Sequence, residues 1–255
     1  MRIVLKIGGN EIDAPAFLDK VASLVSRLRE ERHSVVLVHG GGKEITALLD
    51  RIGIQTRFVD GMRYTDAETL AAVEMMLSGS INKRLVRTLQ QSGISAIGLS
   101  GVDAGILSAR KITRDGKDIG EVGEVSKVNI DAVERLAESY VLVLSPISAE
   151  EKTGHPLNVN ADYAAAAVAS FMSSELIIFL SNVPGVVNAG EVVSRMNEEE
   201  FLNLKSTGVI SGGMVPKIEA ALKAVRNGAK LAYITDAEGA AVLASGREAG
   251  TQVQA

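Results

Sequence analysis

Two lysines beside glycine turns, and a cluster of short amides, are the residues of this chain best suited to handling phosphate. In Lys6-Ile7-Gly8-Gly9-Asn10 a lysine ends an apolar run and two glycines follow. Glycine lets backbone N–H groups come close to a phosphate, and the lysine adds a mobile positive charge. A tight turn with a solvated lysine explains the same residues equally well. The pattern is neither the dinucleotide fingerprint nor a Walker A loop, whose glycine, lysine and hydroxyl spacing occurs nowhere. In Ser211-Gly212-Gly213-Met214-Val215-Pro216-Lys217 glycines again precede a helix. Lys217 in its first turn opposes the helix dipole, which suits service to an anion outside the helix, although a surface lysine fits too.

Four further segments have the same character. His39-Gly40-Gly41-Gly42 follows a buried run, where three glycines are costly unless a ligand must touch the main chain. His39 reads as structural, because no orienting partner for a general base is apparent. In Asn158-Val159-Asn160-Ala161-Asp162 the two amides of an extended stretch share a face. Asn160 either caps the helix that follows or meets a ligand, and Asp162 either favours the helix N-terminus or attends a lysine. Arg63, in Gly61-Met62-Arg63-Tyr64-Thr65-Asp66, could clamp a carboxylate. Ser181-Asn182-Val183-Pro184-Gly185-Val186 is a bend or the edge of a nucleotide pocket. No Ser–His–Asp order, zinc motif or paired-glutamate motif competes. Together these parts match phosphoryl transfer, in which donors and cations hold the charge on the transferred group and little covalent chemistry falls to the protein.

Such turns need a scaffold of strand ends. Short, almost continuously apolar runs at 3–6, 35–38, 96–99, 141–146, 176–180 and 231–235 predict strands covered on both faces. Helical periodicity lies between them at 17–32, 67–77, 81–91, 161–172 and 216–227, with the pair at 67–91 divided near Ser78-Gly79-Ser80. Pro216 near the start and Gly228 past the end mark the last of these. Residues 106–128 and 186–194 read as hairpins. Alternating strands and helices predict an α/β protein with a mainly parallel sheet, folded as one unit over residues 1–255.

The chain has 255 residues and a net charge of −4, which argues against a general nucleic-acid or anionic-membrane binder. With no cysteine there is no disulfide framework, thiolate metal site or thiol nucleophile. Aromatic residues make up 4%, so Ala, Val, Ile and Leu must build the core, and they favour closely packed helices on a sheet. The start, MRIVLKIGGN, does not read as a signal peptide. No stretch reaches the roughly 18 apolar residues of a membrane span. A cytoplasmic protein is expected.

In this order the motifs KIGGN, VHGGG, GMRYTD, VEMMLSGSINK, GLSGVDAG, GEVGEV, LNVNAD, LSNVPGV and ISGGMVPK resemble the amino acid kinase family. They are most similar to its branch that phosphorylates N-acetyl-L-glutamate in arginine biosynthesis. The resemblance implies a three-layer αβα sandwich on an open, mainly parallel sheet of eight strands. It implies an N-terminal lobe, about 1–170, for the acyl amino acid, and a C-terminal lobe, about 171–255, for ATP with Mg²⁺. Carried onto this chain, Lys6 and Lys217 would stabilise the transition state from opposite sides, with Asp162 orienting both. Gly41 and Gly42 would donate to the substrate, with Arg63 on its α-carboxylate, Asn158 on its acylated end and Asn160 beside it. Gly8 and Gly9 would lie near the phosphates. Asn182, Val183, Pro184, Gly185, Val186 and Val187, with Val209, Ile210, Ser211 and Gly213, would line the nucleotide. Mg²⁺ would be bound mainly through the nucleotide phosphates, with no protein metal site. The family commonly carries Asp where this chain has Asn182.

Two other readings remain open. The sister kinase of lysine biosynthesis, acting on aminoadipate or glutamate linked to an acidic carrier protein, is similar at residues 181–185 and 82–86. A non-catalytic amino-acid sensor on the same fold would not need Lys6, Asp162 and Lys217 together. Arginine-inhibited members of the family have an extra N-terminal helix. Here only five residues precede Lys6, so a homodimer without that feedback is expected.

Overall fold

A run such as Leu-Ile-Ile-Phe-Leu has no polar side to offer water, so as a strand it must be covered above and below. A computed structural model describes residues 1–8, 12–59 and 61–255. It opens with β1 (Arg2–Ile7), α1 (Pro15–Glu30), β2 (Ser34–His39), α2 (Gly42–Arg51), β3 (Phe58–Val59) and β4 (Met62–Arg63). Next come α3 (Ala67–Glu74), a π-helical turn (Met75–Ile81), α4 (Asn82–Gln91), β5 (Ala96–Ser100), β6 (Leu107–Arg114) and β7 (Lys117–Val128). The middle of the chain forms α5 (Ile130–Ser139), β8 (Val141–Ser145), β9 (Ile147–Glu150), β10 (Pro156–Val159), α6 (Ala161–Phe171) and β11 (Leu176–Leu180). The remainder forms β12 (Val187–Asn188), β13 (Glu191–Val192), β14 (Arg195–Met196), α7 (Glu198–Ser206), α8 (Met214–Arg226), β15 (Ala232–Thr235), α9 (Ala237–Ala244) and β16 (Thr251–Val253).

All six expected strands are present, and they are six consecutive members, from β15 to the edge strand β5, of an eight-stranded sheet ordered β14-β16-β15-β11-β1-β2-β8-β5. Every pairing in it is parallel except β15 with β16. Side chains alternate between two cores. Val4, Val36, Val38 and Phe179 face α5, α6 and α8. Ile3, Leu5, Val35 and Leu37 face α1 and the α3–α4 region. These are the three layers of the expected sandwich. The sheet runs without interruption across the expected lobe boundary, because β11 pairs directly with β1.

The Ala-rich helix is as deep as its composition predicts. Ala164, Ala165, Ala166 and Ala169 of α6 are all at most 1% exposed, and the helix lies on β1, β2 and β11 beside α8. Hairpin β6–β7 forms as expected, but it also joins β9 and β10 in a small closed barrel that was not foreseen. Short strands interrupted by Pro156 and Gly154 give too little alternation to read. The expected division at residues 78–80 is absent. The helix continues through as the π-turn, since Leu77 and Ile81 stay in the core on either side of the exposed Gly79. No helix among the described residues is long and apolar enough to cross a membrane.

Candidate active site

The order of the sheet reverses at β1. The chain passes from β1 to β2 and β8 on one side and returns to β11 and β15 on the other. Loops leaving the carboxyl ends of β1 and β11 therefore diverge, and a crevice opens where ligands of such sheets bind. A cavity of about 460 Å³ lies there. Lys6 and Gly8 line it from β1, Gly40, Gly41 and Gly42 from the β2–α2 turn, and Ser181 and Asn182 from the end of β11. Asn158 reaches it from β10, Asn160 and Asp162 from the start of α6, and Gly213, Met214 and Lys217 from the start of α8.

Both lysines converge on one carboxylate oxygen. Lys6 Nζ is 2.9 Å from Asp162 Oδ1 and Lys217 Nζ is 3.6 Å from the same atom. All three side chains are at least nine-tenths buried. Neither lysine makes a hydrogen bond to Oδ1, so the contact is one of charge and proximity. Burial alone would push the Asp162 carboxyl up. Lys6 first, and Lys217 next, offset that and hold it below the usual carboxylate range. Lys217 is pushed down to about 8, first by burial and then by the ammonium of Lys6, against the pull of Asp162. Two cations held by one anion leave a net positive charge among buried side chains. That is the balance an incoming anion restores.

Backbone donors add to it. Helices α2 and α8 begin at Gly41 and Gly213 with no side-chain cap. At α2 the N–H groups of Gly41 and Gly42 lie at the cavity wall. At α8 Met214 and Val215 donate to the Ser211 and Gly212 carbonyls and Pro216 has no N–H, which leaves the N–H of Gly213. Helix α6 is different, because Asn160 Oδ1 accepts from the Asp162 N–H at 2.8 Å. Asn160 is therefore a cap that also lines the cavity.

Arg63 is 8% exposed and joins no ion pair among the described residues. Its guanidinium donates to Thr56 Oγ1 at 3.1 Å, Thr46 Oγ1 at 2.8 Å and the Gly42 carbonyl at 3.2 Å. Burial lowers its pKa, with Asp50 opposing. The local fold fixes its place. Thr65, two residues on, bridges to β7, donating to Ile119 and accepting from Glu121. Gly120 makes this approach possible, since its φ is +77° and a Cβ there would lie 2.1 Å from the Thr65 carbonyl oxygen. Asn158 Nδ2 donates to Thr65 Oγ1 at 3.1 Å, so Arg63 and Asn158 are held by one turn. Apolar side chains close the wall beside them: Ile45, Phe58, Met62, Leu77 and Val122. Sequence reasoning assigned none of these five, and only the flanking motif residues mark them.

The remaining expected residues lie outside this surface. Val186 donates its N–H to Thr251 Oγ1 at 2.8 Å, and the Pro184 carbonyl accepts from Thr235 Oγ1 at 3.3 Å. Gly185 packs against Thr251 and Val192. Val183 sits in the same turn and Val187 enters the β12–β13 hairpin. Ile210 is buried, while Val209 and Ser211 are exposed just ahead of α8. None of these eight lines the cavity, which on this side is met by Asn182 and Gly213. Gly9 lies outside the described residues.

His39 is fully buried. Its Nδ1 lies 3.1 Å from the Gly40 carbonyl oxygen and its Nε2 lies 3.2 Å from Asn82 Nδ2. Burial pushes the imidazole down to about 4. It is structural, as expected, and the partner that sequence reasoning could not supply is Asn82.

A family model described as the amino acid kinase family matches residues 1–236. The chain belongs to the amino acid kinase family. Acetylglutamate kinase of Chloroflexus aggregans is 41% identical over 250 residues, which are 98% of this chain and 95% of the relative. Acetylglutamate kinase of Methanopyrus kandleri is 42% identical over 245 residues, 92% of this chain and 95% of the relative. The crystal structure of smu.665 from Streptococcus mutans UA159 superposes with a TM-score of 0.86 at 29% identity, covering 99% of this chain and 98% of that one. Giardia carbamate kinase shares the fold alone, with a TM-score of 0.70 at 17% identity over 99% and 98% of the two chains. The KIGGN, VHGGG, LNVNAD and ISGGMVPK motifs of this amino acid kinase all contribute side chains or glycines to the one cavity.

Proposed function

We propose that this chain is a kinase that transfers the γ-phosphoryl group of ATP to the side-chain carboxylate of N-acetyl-L-glutamate. The products are N-acetyl-L-glutamyl 5-phosphate and ADP, and the step is the second of arginine biosynthesis. The observation that carries the reading is the Lys6–Asp162–Lys217 cluster at the strand switch point. The full-length similarity to acetylglutamate kinases supports the choice of substrate.

In this reading a carboxylate oxygen of the substrate attacks the γ-phosphorus. An O–P bond forms as the bond to the β-phosphate oxygen breaks. The nucleophile is already ionised at neutral pH, so no general base is needed. Lys6 and Lys217 meet the charge on the transferred group from two sides. Asp162 holds both ammonium groups at the cavity wall before substrate arrives, so little reorganisation is needed in the reaction. Gly41 and Gly42 present N–H groups of α2 to the acyl amino acid, and Arg63 takes its α-carboxylate. Asn158 and Asn160 attend its amide end. Gly8, Gly213 and Asn182, with the 183–187 and 209–211 segments, attend the nucleotide. Apart from Gly8, at the phosphates, the acyl amino acid falls to residues before about 170 and ATP to those after it. Among the described residues no group of three His, Cys, Asp or Glu side chains could hold a metal ion. A Mg²⁺ ion would therefore arrive on the nucleotide phosphates, where it shields their charge.

The test is an acyl-phosphate assay with hydroxylamine trapping. Purified protein is given ATP, Mg²⁺ and N-acetyl-L-glutamate, L-glutamate or N-acetyl-aminoadipate, with Lys217→Ala as control. Hydroxamate from N-acetyl-L-glutamate alone, lost in the control, is the expected result. Absence of product from every small substrate would overturn the reading and direct attention to a carrier-linked substrate.

A further inference from the structure

The cavity wall at Gly40–Gly42 is backed by a buried polar chain that no catalytic role accounts for. Asn82, the first residue of α4 after the π-turn, is completely buried. Its Nδ2 faces the Val143 carbonyl oxygen at 3.0 Å, the Leu99 carbonyl oxygen at 3.3 Å and His39 Nε2 at 3.2 Å. Lys83 Nζ donates to its Oδ1 at 3.1 Å. Backbone carbonyls only accept, so the NH₂ end of the amide must face them. The ring nitrogen beside that NH₂ must then be the bare one. His39 is consequently neutral, with its proton on Nδ1, and that proton is donated to the Gly40 carbonyl oxygen at 3.1 Å.

This chain ends on the peptide that opens the glycine turn. The carbonyl of Gly40 and the N–H of Gly41 belong to one plane and point in opposite directions. Fixing the carbonyl against the His39 ring fixes the direction of the Gly41 N–H. From the other side, Gly40 donates its own N–H to the Ile7 carbonyl at the end of β1. The π-turn closes the arrangement, because a Cβ at Gly41 would come 2.4 Å from Ile81 and 3.0 Å from Leu77. Space for the amide is also reserved, since a Cβ at Gly98 on β5 would lie 2.0 Å from Asn82 Oδ1. The charged groups nearest the ring are Lys83 and Arg84 of α4, and Arg84 is itself paired with Glu44 of α2.

We propose that Asn82 is a positioning residue for phosphoryl transfer, which selects the Nδ1–H form of His39 and thereby aims the Gly40–Gly41 peptide at the acyl amino acid. This rests on the reading of the glycine turn as the acyl-amino-acid site. Pi-turns are frequent beside functional sites, and here the turn delivers an amide to the back of one.

The experiment joins a spectrum to kinetics. Long-range ¹H–¹⁵N correlation of the three histidines is recorded from pH 5 to 8, with His39 identified by its loss in His39→Gln. His39 is expected as a non-titrating Nδ1–H tautomer throughout. An Nε2–H tautomer or a cation at neutral pH would overturn the proposal before any variant is made. Asn82→Ser and Gly98→Ala, the second remote from the cavity, are then expected to lose that signature. Both should raise KM for N-acetyl-L-glutamate about tenfold while leaving KM for ATP within about twofold. Ser78→Ala removes the 2.8 Å contact with Ser145 in the same π-turn, and is expected to lower Tm but keep both signature and KM. If the variants lose the tautomer and keep KM, or if Ser78→Ala raises KM equally, Asn82 only supports the fold. If Asn82→Ser and Gly98→Ala do not fold, the wild-type spectrum decides the tautomer and His39→Gln carries the kinetic test: an unchanged KM for N-acetyl-L-glutamate in that variant overturns the proposal. A correct tautomer in a protein inactive on N-acetyl-L-glutamate would reject the substrate reading instead.

Discussion

At the scale of single residues, Lys217 is where function and stability pull apart. Its ammonium is buried beside that of Lys6, and the two share one carboxylate oxygen. An apolar side chain of similar length would remove a buried charge and leave Lys6 paired with Asp162. Lys217→Met is therefore expected to melt at the same temperature as the wild type or above it. Its kcat should fall by roughly 10²–10³-fold, the usual loss on removing one stabilising donor. Scanning calorimetry beside the hydroxamate assay reads both. The pKa of about 8 sets a second expectation. Above that pH the free enzyme loses the cation, so kcat/KM should decline on the alkaline side with a midpoint near 8. Bound nucleotide favours the charged form, so the limb of kcat should lie at higher pH. Coincident limbs in the two profiles would show that Lys217 does not meet the phosphates.

Elements decide how much of this could be read beforehand. The six neighbouring strands from β15 to β5 were legible because burial leaves an unbroken apolar run, and α6 because alanine repeats at core positions. The glycine turn was legible as a turn but not as the start of α2, since three glycines carry no helical signal. Chemistry at Lys6, Asp162 and Lys217 was visible as residue types. Their meeting was not, because it depends on β1, α6 and α8 converging from distant parts of the chain. The contact between Asn82 and His39 was hidden for the same reason. The turn itself allows a direct test. At Gly41 an added methyl would strike Ile81 and Leu77, whereas at Gly42 nothing lies within 4 Å. Gly41→Ala should cost about 1–3 kcal/mol by overpacking. Gly42→Ala should leave stability unchanged or slightly higher, yet weaken binding of N-acetyl-L-glutamate. Urea melts and substrate titrations separate the two effects.

Across the whole molecule, one sheet carries both sides of the cavity, so the site and the core share a single stability. Its acid limit belongs in part to His39. Unfolded, the imidazole takes up a proton below about 6.5; folded, only below about 4. Between those values the unfolded chain binds more protons, so stability rises with pH across that window. The contribution is whole above about 6.5, is lost as pH falls towards 4, and amounts to roughly 3 kcal/mol. Asp162, held low by Lys6 and Lys217 against its burial, adds a loss at still lower pH. His39→Gln should flatten the dependence between pH 6.5 and 4, measured as the urea midpoint at each pH. The alanine face of α6 has an effect of another sort. Alanine has no rotamers, so Ala164, Ala165, Ala166 and Ala169 cannot absorb a change in their neighbours by turning aside. Asp162 stands on that helix, so the packing of these four methyl groups sets where its backbone lies. A saturation scan scored by growth would therefore paint these four methyl groups as intolerant as the ligand-facing residues, and its map would outline the helix that carries the carboxylate as clearly as the pocket it faces.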